Sequence, residues 1–320
     1  MKLSIIIPVF NEEGVIPLLK ERLERMLKDE KAYSYEVIFV DDGSKDKTMT
    51  LLMKWAEINS SVSILSLSRN FGHQQAVTAG LKEASGDAVV IMDSDLQDPP
   101  ELIPRMLREW EKGYKVVLAE RNSRDEGYLR KLLFNAFYKI FDFLCDMPIS
   151  INSGVFGLMD KTVVKNILLF NEHCRFIPGL RAWVGFNTTK IFYDRAKRAQ
   201  GYPRQSLLRL INYGLDAIFS FSSKPLKISL FLGLFVSAIC FLYAVVLIFL
   251  RLFNINVVSG FSTTAVSLLF IGGVLLVSNG IIGEYLARIF DEVKQRPLYI
   301  VATKISRKPN EKSLSIEERY

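Results

Sequence analysis

Over roughly the first third of the chain, short apolar runs rich in β-branched side chains alternate with segments whose apolar positions recur at helical spacing. The pattern predicts strands near residues 3–8, 36–41, 63–67, 88–92 and 115–119, and helices near 15–29, 46–59, 73–84 and 100–112. Val89–Met92 is too short and too apolar for a surface helix, and fits a strand buried on both faces. Such alternation implies an α/β domain with a mostly parallel, doubly wound sheet, whose ligands bind beyond the strand carboxyl ends.

Past residue 225 the pattern changes. Leu226–Leu250 carries one charge, Lys227 near its start, and Thr264–Ile282 carries none. Each is long enough to cross a hydrocarbon core about 30 Å thick, which takes about 20 residues. Two buried core helices would be the alternative, but a soluble core rarely supplies two uninterrupted apolar stretches joined by a short loop. The expected organisation is a water-soluble domain over 1–200, a juxtamembrane segment over 201–225, two membrane helices within 226–289 (about 226–250 and 264–287) and a tail over 290–320. No signal peptide is expected, because the chain opens directly into a strand.

The loop 251–263 holds only Arg251, whereas Arg204, Arg209, Lys224 and Lys227 precede the hairpin and Arg288, Lys294, Arg296 and Lys304 follow it. Basic residues favour the cytoplasmic side, so a two-span cell-membrane protein with both termini cytoplasmic is expected. In 201–225, Leu207, Leu208, Ile211, Leu215, Ile218 and Phe219 recur at helical spacing, with Arg204, Arg209, Asn212 and Asp216 elsewhere on the wheel. That segment fits an interfacial helix in the lipid headgroups or a helix packed on the soluble domain. The charged stretch from Arg307 to Tyr320 reads as a frayed terminus.

Composition agrees with a membrane-attached chain, at 49% hydrophobic residues and a net charge of +7. Cys145, Cys174 and Cys240 are odd in number and match no metal or disulfide spacing, so they read as thiols in a reducing compartment. No internal repeat is visible. Neither G-x-G-x-x-G after the first strand nor G-x-x-x-x-G-K-[ST] occurs, which removes the dinucleotide-fingerprint and P-loop readings.

The chemistry gathers at the strand ends. After the fourth strand the chain reads Asp93-Ser-Asp95-Leu-Gln97-Asp98-Pro99-Pro100-Glu101. Asp93 and Asp95, two apart, can converge from one side of the strand end, and the prolines start the next helix. Hard oxygen ligands there suit a divalent cation that bridges substrate phosphates. An isolated Asp-x-Asp is more often a helix-capping turn. The first two strands shift that balance, ending in Pro8-Val-Phe10-Asn11-Glu12-Glu13 and in Asp41-Asp42-Gly43-Ser44. Ser44 or Asp46 would cap the second helix. Glu12, Asp41, Asp93 and Asp95 are expected around one crevice.

Together Ser4-Ile-Ile-Ile-Pro-Val-Phe-Asn-Glu-Glu13, Val40-Asp-Asp-Gly-Ser-Lys-Asp-Lys-Thr48 and Asp93-Ser-Asp-Leu-Gln-Asp-Pro-Pro-Glu101 resemble the inverting family-2 glycosyltransferases of the GT-A fold. Among these the chain most resembles the polyprenyl-phosphate glycosyltransferases, such as dolichol-phosphate mannose synthases and bactoprenol glucosyltransferases, to about Val301. The resemblance implies nucleotide contacts from Pro8, Phe10, Asn11, Glu12 and Asp41, and Mg²⁺ or Mn²⁺ held by Asp93, Asp95 and Gln97. It also favours the interfacial reading of 201–225.

A polyprenyl phosphate acceptor is already an oxyanion at neutral pH, since its second pKa is about 6. It needs cations to hold it rather than a base to deprotonate it. Arg121, Arg124, Arg130, Lys131 and Arg204 are the candidates, and the resemblance raises Arg121, Arg130 and Arg204, with Arg121 beside Asp93 and Asp95 in the reaction itself. The family's Gly-Asp-Phe-Arg-Leu is here Gly154-Val155-Phe156-Gly157-Leu158, so an acidic residue and an arginine are missing. The family's Gly-Glu-Ser-Lys-Tyr becomes Gly201-Tyr-Pro-Arg204-Gln, while Gly283-Glu-Tyr-Leu286 and Lys294-Gln-Arg-Pro-Leu-Tyr299 match closely.

The expected activity is transfer of a hexose, glucose from UDP-glucose first, to a polyprenyl phosphate such as undecaprenyl phosphate. Mannose or an amino sugar is the alternative. A processive polysaccharide synthase lacks its Gln-x-x-Arg-Trp motif here, and a silent membrane scaffold would not need the acidic constellation. The expected partners are a nucleotide sugar, the lipid phosphate and the bilayer, with no nucleic acid, and self-association through the membrane helices. His73 either touches sugar or phosphate or simply opens its helix. His173 stands far from a second zinc-type ligand, and Glu284 is expected to pair with Arg288.

Overall fold

The computed structural model describes residues 1–30, 32–122, 143–144, 154–173, 175–194, 218–219, 222–252, 260–307 and 314–318. Arg124, Arg130, Lys131, Arg204, Arg209, Cys145 and Cys174 lie outside them, as does 201–217, most of the expected juxtamembrane helix.

Four strands form the parallel centre: β1 (Lys2–Val9), β2 (Ser34–Asp41), β3 (Val62–Leu67) and β4 (Ala88–Ile91). Helices α1 (Ile16–Asp29), α2 (Thr48–Ile58), α3 (His73–Glu83) and α4 (Ile103–Glu111, after a 3-10 turn at Pro100–Leu102) connect or follow them. All eight elements stand where the hydrophobic period predicts. Ile5 and Ile7 pack with Leu19, Leu23, Phe39, Leu52, Trp55 and Met106 in one fully buried layer. Each such side chain contributes about 1.5–3 kcal/mol by leaving water. The intervening Ile6 faces the other way, under α3, where Gly80 leaves no room for a Cβ against it. Helices thus cover both faces of the sheet.

Beyond this centre the sheet is mixed rather than mostly parallel. Its order is β7-β5-β6-β4-β1-β2-β3-β8-β9. β5 (Val116–Arg121) does not join β4; β6 (Gly157–Asp160) runs antiparallel between them, and β7 (Thr188–Tyr193) pairs parallel with β5. Four-residue β6 carries too few positions to show a period. Two more helices, α5 (Lys161–Leu168) and α6 (Ile177–Trp183), lie between β6 and β7 in the chain.

Within the stretch expected to fray, Ser315–Glu318 is a strand instead, paired to one that precedes Arg307. Residues Val301–Ser306 form β8, antiparallel to β3, and Ser315–Glu318 form β9 against β8. Ile305, 4% exposed, enters the core, Ser68 N–H donates to Ile300 O at 2.9 Å, and Lys304 pairs with Glu83 of α3. The backbone of β3's outer edge would otherwise lack partners; β8 covers it, and Ser315–Glu318 of the charged stretch pairs in turn with β8.

The chain divides into two units. The first holds the sheet and comprises Met1–Phe134, Met147–Arg209 and Arg296–Tyr320. The second comprises Asn135–Asp146 and Leu210–Gln295. It holds α7 (Lys224–Leu252, 29 residues) and α8 (Phe261–Lys294, 34 residues), both longer than the expected spans and long and apolar enough to cross a membrane. Their side chains are largely exposed, as at Phe231, Leu268 and Leu276. Tyr285 Oη donates to Ser222 O at 2.6 Å, and Arg288 pairs with Glu284 at 3.2 Å, as expected for that carboxylate.

Candidate functional site

Strand order reverses between β1 and β4, and a crevice of about 250 Å³ opens at their carboxyl ends. Pro8, Phe10, Asp42, Asn70, His73, Asp93 and Asp95 line it, with the backbone around Gly72. Pro8 is tolerated in a central strand for a local reason. Ile6 O accepts from Met92 N–H at 3.1 Å, so two residues on Pro8 turns its nitrogen to the same side, where β4 has already ended.

The strand-end loops are held by side chains bonding backbone. Asn11, in the left-handed region at φ 53°, donates its N–H to Ser44 Oγ at 2.9 Å and accepts from Lys45 N–H at 2.8 Å. Glu12 N–H donates to Thr48 Oγ1 at 2.8 Å. Asp41, 2% exposed, accepts from Ser44 N–H at 3.1 Å and faces Ser66 Oγ at 3.5 Å. Glu12 and Asp41, expected around the crevice, are not among the residues that line it; Asn11 and Glu12 hold the β1 loop to the β2 loop. Consecutive side chains at a strand end diverge, and it is Asp42 that faces inward, accepting from Phe71 and Gly72 N–H at 2.7 and 2.9 Å. Burial raises the pKa of both carboxyls, and these hydrogen bonds oppose the shift. The cap of α2 is Lys47 rather than Ser44 or Asp46, although Asp46 Oδ1 accepts from Thr48 N–H at 3.0 Å.

His73 at the start of α3 meets Asp93, with Nε2 and Oδ1 2.8 Å apart. Burial pulls the imidazole pKa down, but the Asp93 charge and hydrogen bond, then Asp42 and Asp95, leave it raised. Asp95 Oδ1 accepts from Gln97 N–H at 3.1 Å across Leu96, a bulky residue at φ 59°. Such backbone persists only where its surroundings over-determine it. Gln97 is half-buried and is not among the crevice residues. Among the described residues no three His, Cys, Asp or Glu side chains converge to hold a metal ion by themselves. The donor set still fits a hard cation of the magnesium kind, which takes one or two carboxylates and completes its shell with substrate phosphates and water.

Arg121 closes β5 and, in register with it, Tyr193 closes β7. Tyr193 Oη donates to Asp98 at 2.5 Å and receives Arg121 Nε at 3.3 Å, and Arg121 Nη2 lies 3.7 Å from the same Asp98 oxygen. Asp98, 1% exposed, is pushed up to about 6 by burial and by Asp93, while Arg121 and Tyr193 pull it back. Asp98 holds Arg121 charged against its own burial. Asp42 and Asp98 sit inside the quoted motifs without being marked as site residues. Tyr193 had no sequence signal, because only the pairing of β5 with β7 brings it to Arg121.

The model of the family described as Glycosyl transferase family 2 matches residues 4–168. A Bacillus subtilis protein named "Uncharacterized glycosyltransferase YkcC" is 42% identical over 93% of this chain and 92% of its own. The bactoprenol glucosyl transferase of Shigella phage SfII is 42% identical over 94% of this chain and 97% of its own. Among solved structures, Mycobacterium tuberculosis glucosyl-3-phosphoglycerate synthase with Mn²⁺, UDP and glucosyl-3-phosphoglycerate is 17% identical over 68% of this chain and 77% of that one, with a TM-score of 0.45. The chain belongs to glycosyl transferase family 2, and it is a transferase with the α/β architecture of the GT-A class.

Proposed function

We propose that the protein transfers glucose from UDP-glucose to a polyprenyl phosphate at the cytoplasmic membrane face, inverting the anomeric carbon. One observation carries this reading: carboxylates of the crevice and the Arg121 guanidinium share one sheet edge, with Asp98 close to both. The relatives named bactoprenol glucosyl transferase, similar over nearly the full length, support the lipid carrier and glucose.

Pro8, Phe10, Asn11, Glu12 and Asp41 form or brace the nucleotide end. Asp93 and Asp95, with Gln97 assisting, would hold Mg²⁺ or Mn²⁺, which supplies neutralisation of the departing diphosphate. Arg121, with Arg130 and Arg204, holds the acceptor phosphate. An acceptor oxygen bonds to the anomeric carbon as the bond to the nucleotide diphosphate breaks, and the diphosphate leaves with the electron pair. No proton has to be removed from the acceptor, which fits Val155 at the place of the family's acid. In-line attack on an α-linked donor gives a β-linked lipid phosphate sugar.

The chain leaves the first unit at Arg209 and returns to it at Arg296, and β8 joins β3. That return supports an even number of crossings with both termini on one side, and the basic flanking residues favour the cytoplasmic one. A reporter inserted between Leu252 and Gly260 should be exported, and one after Tyr320 retained. The donor site is tested with purified protein and a panel of nucleotide sugars. UDP-glucose turnover should disappear in excess chelator and in Asp95→Asn, and full activity in either would overturn the metal-assisted reading.

A further inference from the structure

The cluster at the ends of β5 and β7 contains more than the acceptor reading uses. Arg121 and Tyr193 are register partners on adjacent parallel strands, so their side chains leave the same face at the same height. The phenol is fixed at both ends. Its ring meets Phe156 edge-on, with centroids 5.9 Å apart at 85°, and its hydroxyl donates to Asp98 at 2.5 Å. A phenol has one hydrogen to give; with it committed to Asp98, the oxygen accepts from Arg121 Nε at 3.3 Å. The direction of the chain is therefore set: guanidinium to phenol to carboxylate. Tyr193 is 6% exposed and Asp98 1%, whereas the Arg121 side chain keeps 19%. Among the described residues no hydrogen-bond partner takes Arg121 Nη1, so the held guanidinium has N–H donors for an incoming anion.

An arginine on a flexible stem loses considerable rotamer freedom when it binds a phosphate, and less is lost if the planar fork is already fixed. Asp98 also lies in the same loop as Asp93 and Asp95. Holding Arg121 against Asp98 therefore ties the guanidinium to the loop that lines the donor crevice. We propose that Tyr193 is a positioning residue, whose hydroxyl fixes the orientation in which Arg121 meets the acceptor phosphate. This rests on the acceptor role assigned to Arg121 above.

The test is a double-mutant cycle on the full-length protein in lipid nanodiscs, using Tyr193→Phe, Arg121→Lys and the pair, with undecaprenyl phosphate titrated at saturating UDP-glucose. Tyr193→Phe keeps the ring against Phe156 and removes only the hydroxyl. It should raise the acceptor KM roughly tenfold, the scale of one lost hydrogen bond to a charged group. UDP-glucose affinity should not change. Kinetics are normalised to the fraction that binds UDP-glucose, so partial unfolding cannot imitate the effect. In the Arg121→Lys background Tyr193→Phe should cost nothing further, because its effect passes through the guanidinium. Additive losses, or an unchanged acceptor KM in Tyr193→Phe beside an impaired Arg121→Lys, would overturn the positioning role and leave the acceptor reading intact. An unchanged acceptor KM in Arg121→Lys would remove the acceptor role of Arg121 and the positioning role with it.

Discussion

His73 Nε2 stands 2.8 Å from Asp93 Oδ1, joining the first residue of α3 to the loop beyond β4. The side chains are 44% and 31% exposed, so the pair contributes no more than about 1 kcal/mol to stability. Both residues line the crevice, so under the proposed function the pair would serve ligand binding more than stability. His73→Ala should shift the unfolding temperature by less than about 2 °C, yet lower kcat/KM for the nucleotide sugar about tenfold. A large loss of stability with undiminished turnover would make His73 a structural helix-start residue.

Ile305 tests whether the segment after the hairpin belongs to the catalytic sheet. It is 4% exposed within the main core. Ile305→Ala should cost about 2–4 kcal/mol and lower the unfolding temperature of the sheet-containing unit by roughly 5 °C or more. No shift would show that this segment contributes nothing to the sheet's core.

The pH dependence of stability should contain a term from Asp160. It caps α5 by accepting from Thr162 N–H at 2.9 Å, and also receives Lys115 Nζ and Trp110 Nε1, each at 2.9 Å. Burial works against the charged form, but these donors hold the pKa down at about 2. A depressed carboxyl stabilises the fold above its unfolded pKa, near 4, and that gain is lost as pH falls towards about 2. Asp160→Asn should cost about 2 kcal/mol at neutral pH, and the gap to the parent should close between about pH 4 and pH 2. A gap of constant size would show that the charge is not responsible.

Restoring the family's missing residues should not improve the enzyme. A Cβ at Gly157 would lie 2.6 Å from Val117 O, in the paired strand β5, and 3.2 Å from Arg181 Nη1. Val155 is 7% exposed, so an aspartate there would put a charge in place of a buried apolar side chain. Gly157→Arg and Val155→Asp should each lower the unfolding temperature by several degrees without raising the transfer rate. Faster transfer by Val155→Asp would revive the need for a base.

The parallel centre was legible because each of its strands is rich in β-branched and other apolar residues, and each helix shows a period over nine or more residues. The acidic loop was legible because Asp93 and Asp95 are two residues apart at a strand end, although Asp98 beside them was not marked. Three features were not. β6 is four residues long, β8 lies beyond an insertion of two long helices, and Tyr193 is 72 residues from Arg121. Local patterns cannot report a pairing made only by the fold. The exchange of Asp41 for Asp42 at the crevice turns on which of two neighbouring carboxyls faces inward, which a doublet does not disclose.

The acceptor is the centre of the account, and one comparison tests it most directly. Purified protein with UDP-glucose and a divalent cation is offered undecaprenyl phosphate or undecaprenol at equal concentration in the same bilayer. The account predicts glucose transfer to the phosphate alone, with a β-linked product. Equal transfer to the alcohol would contradict it.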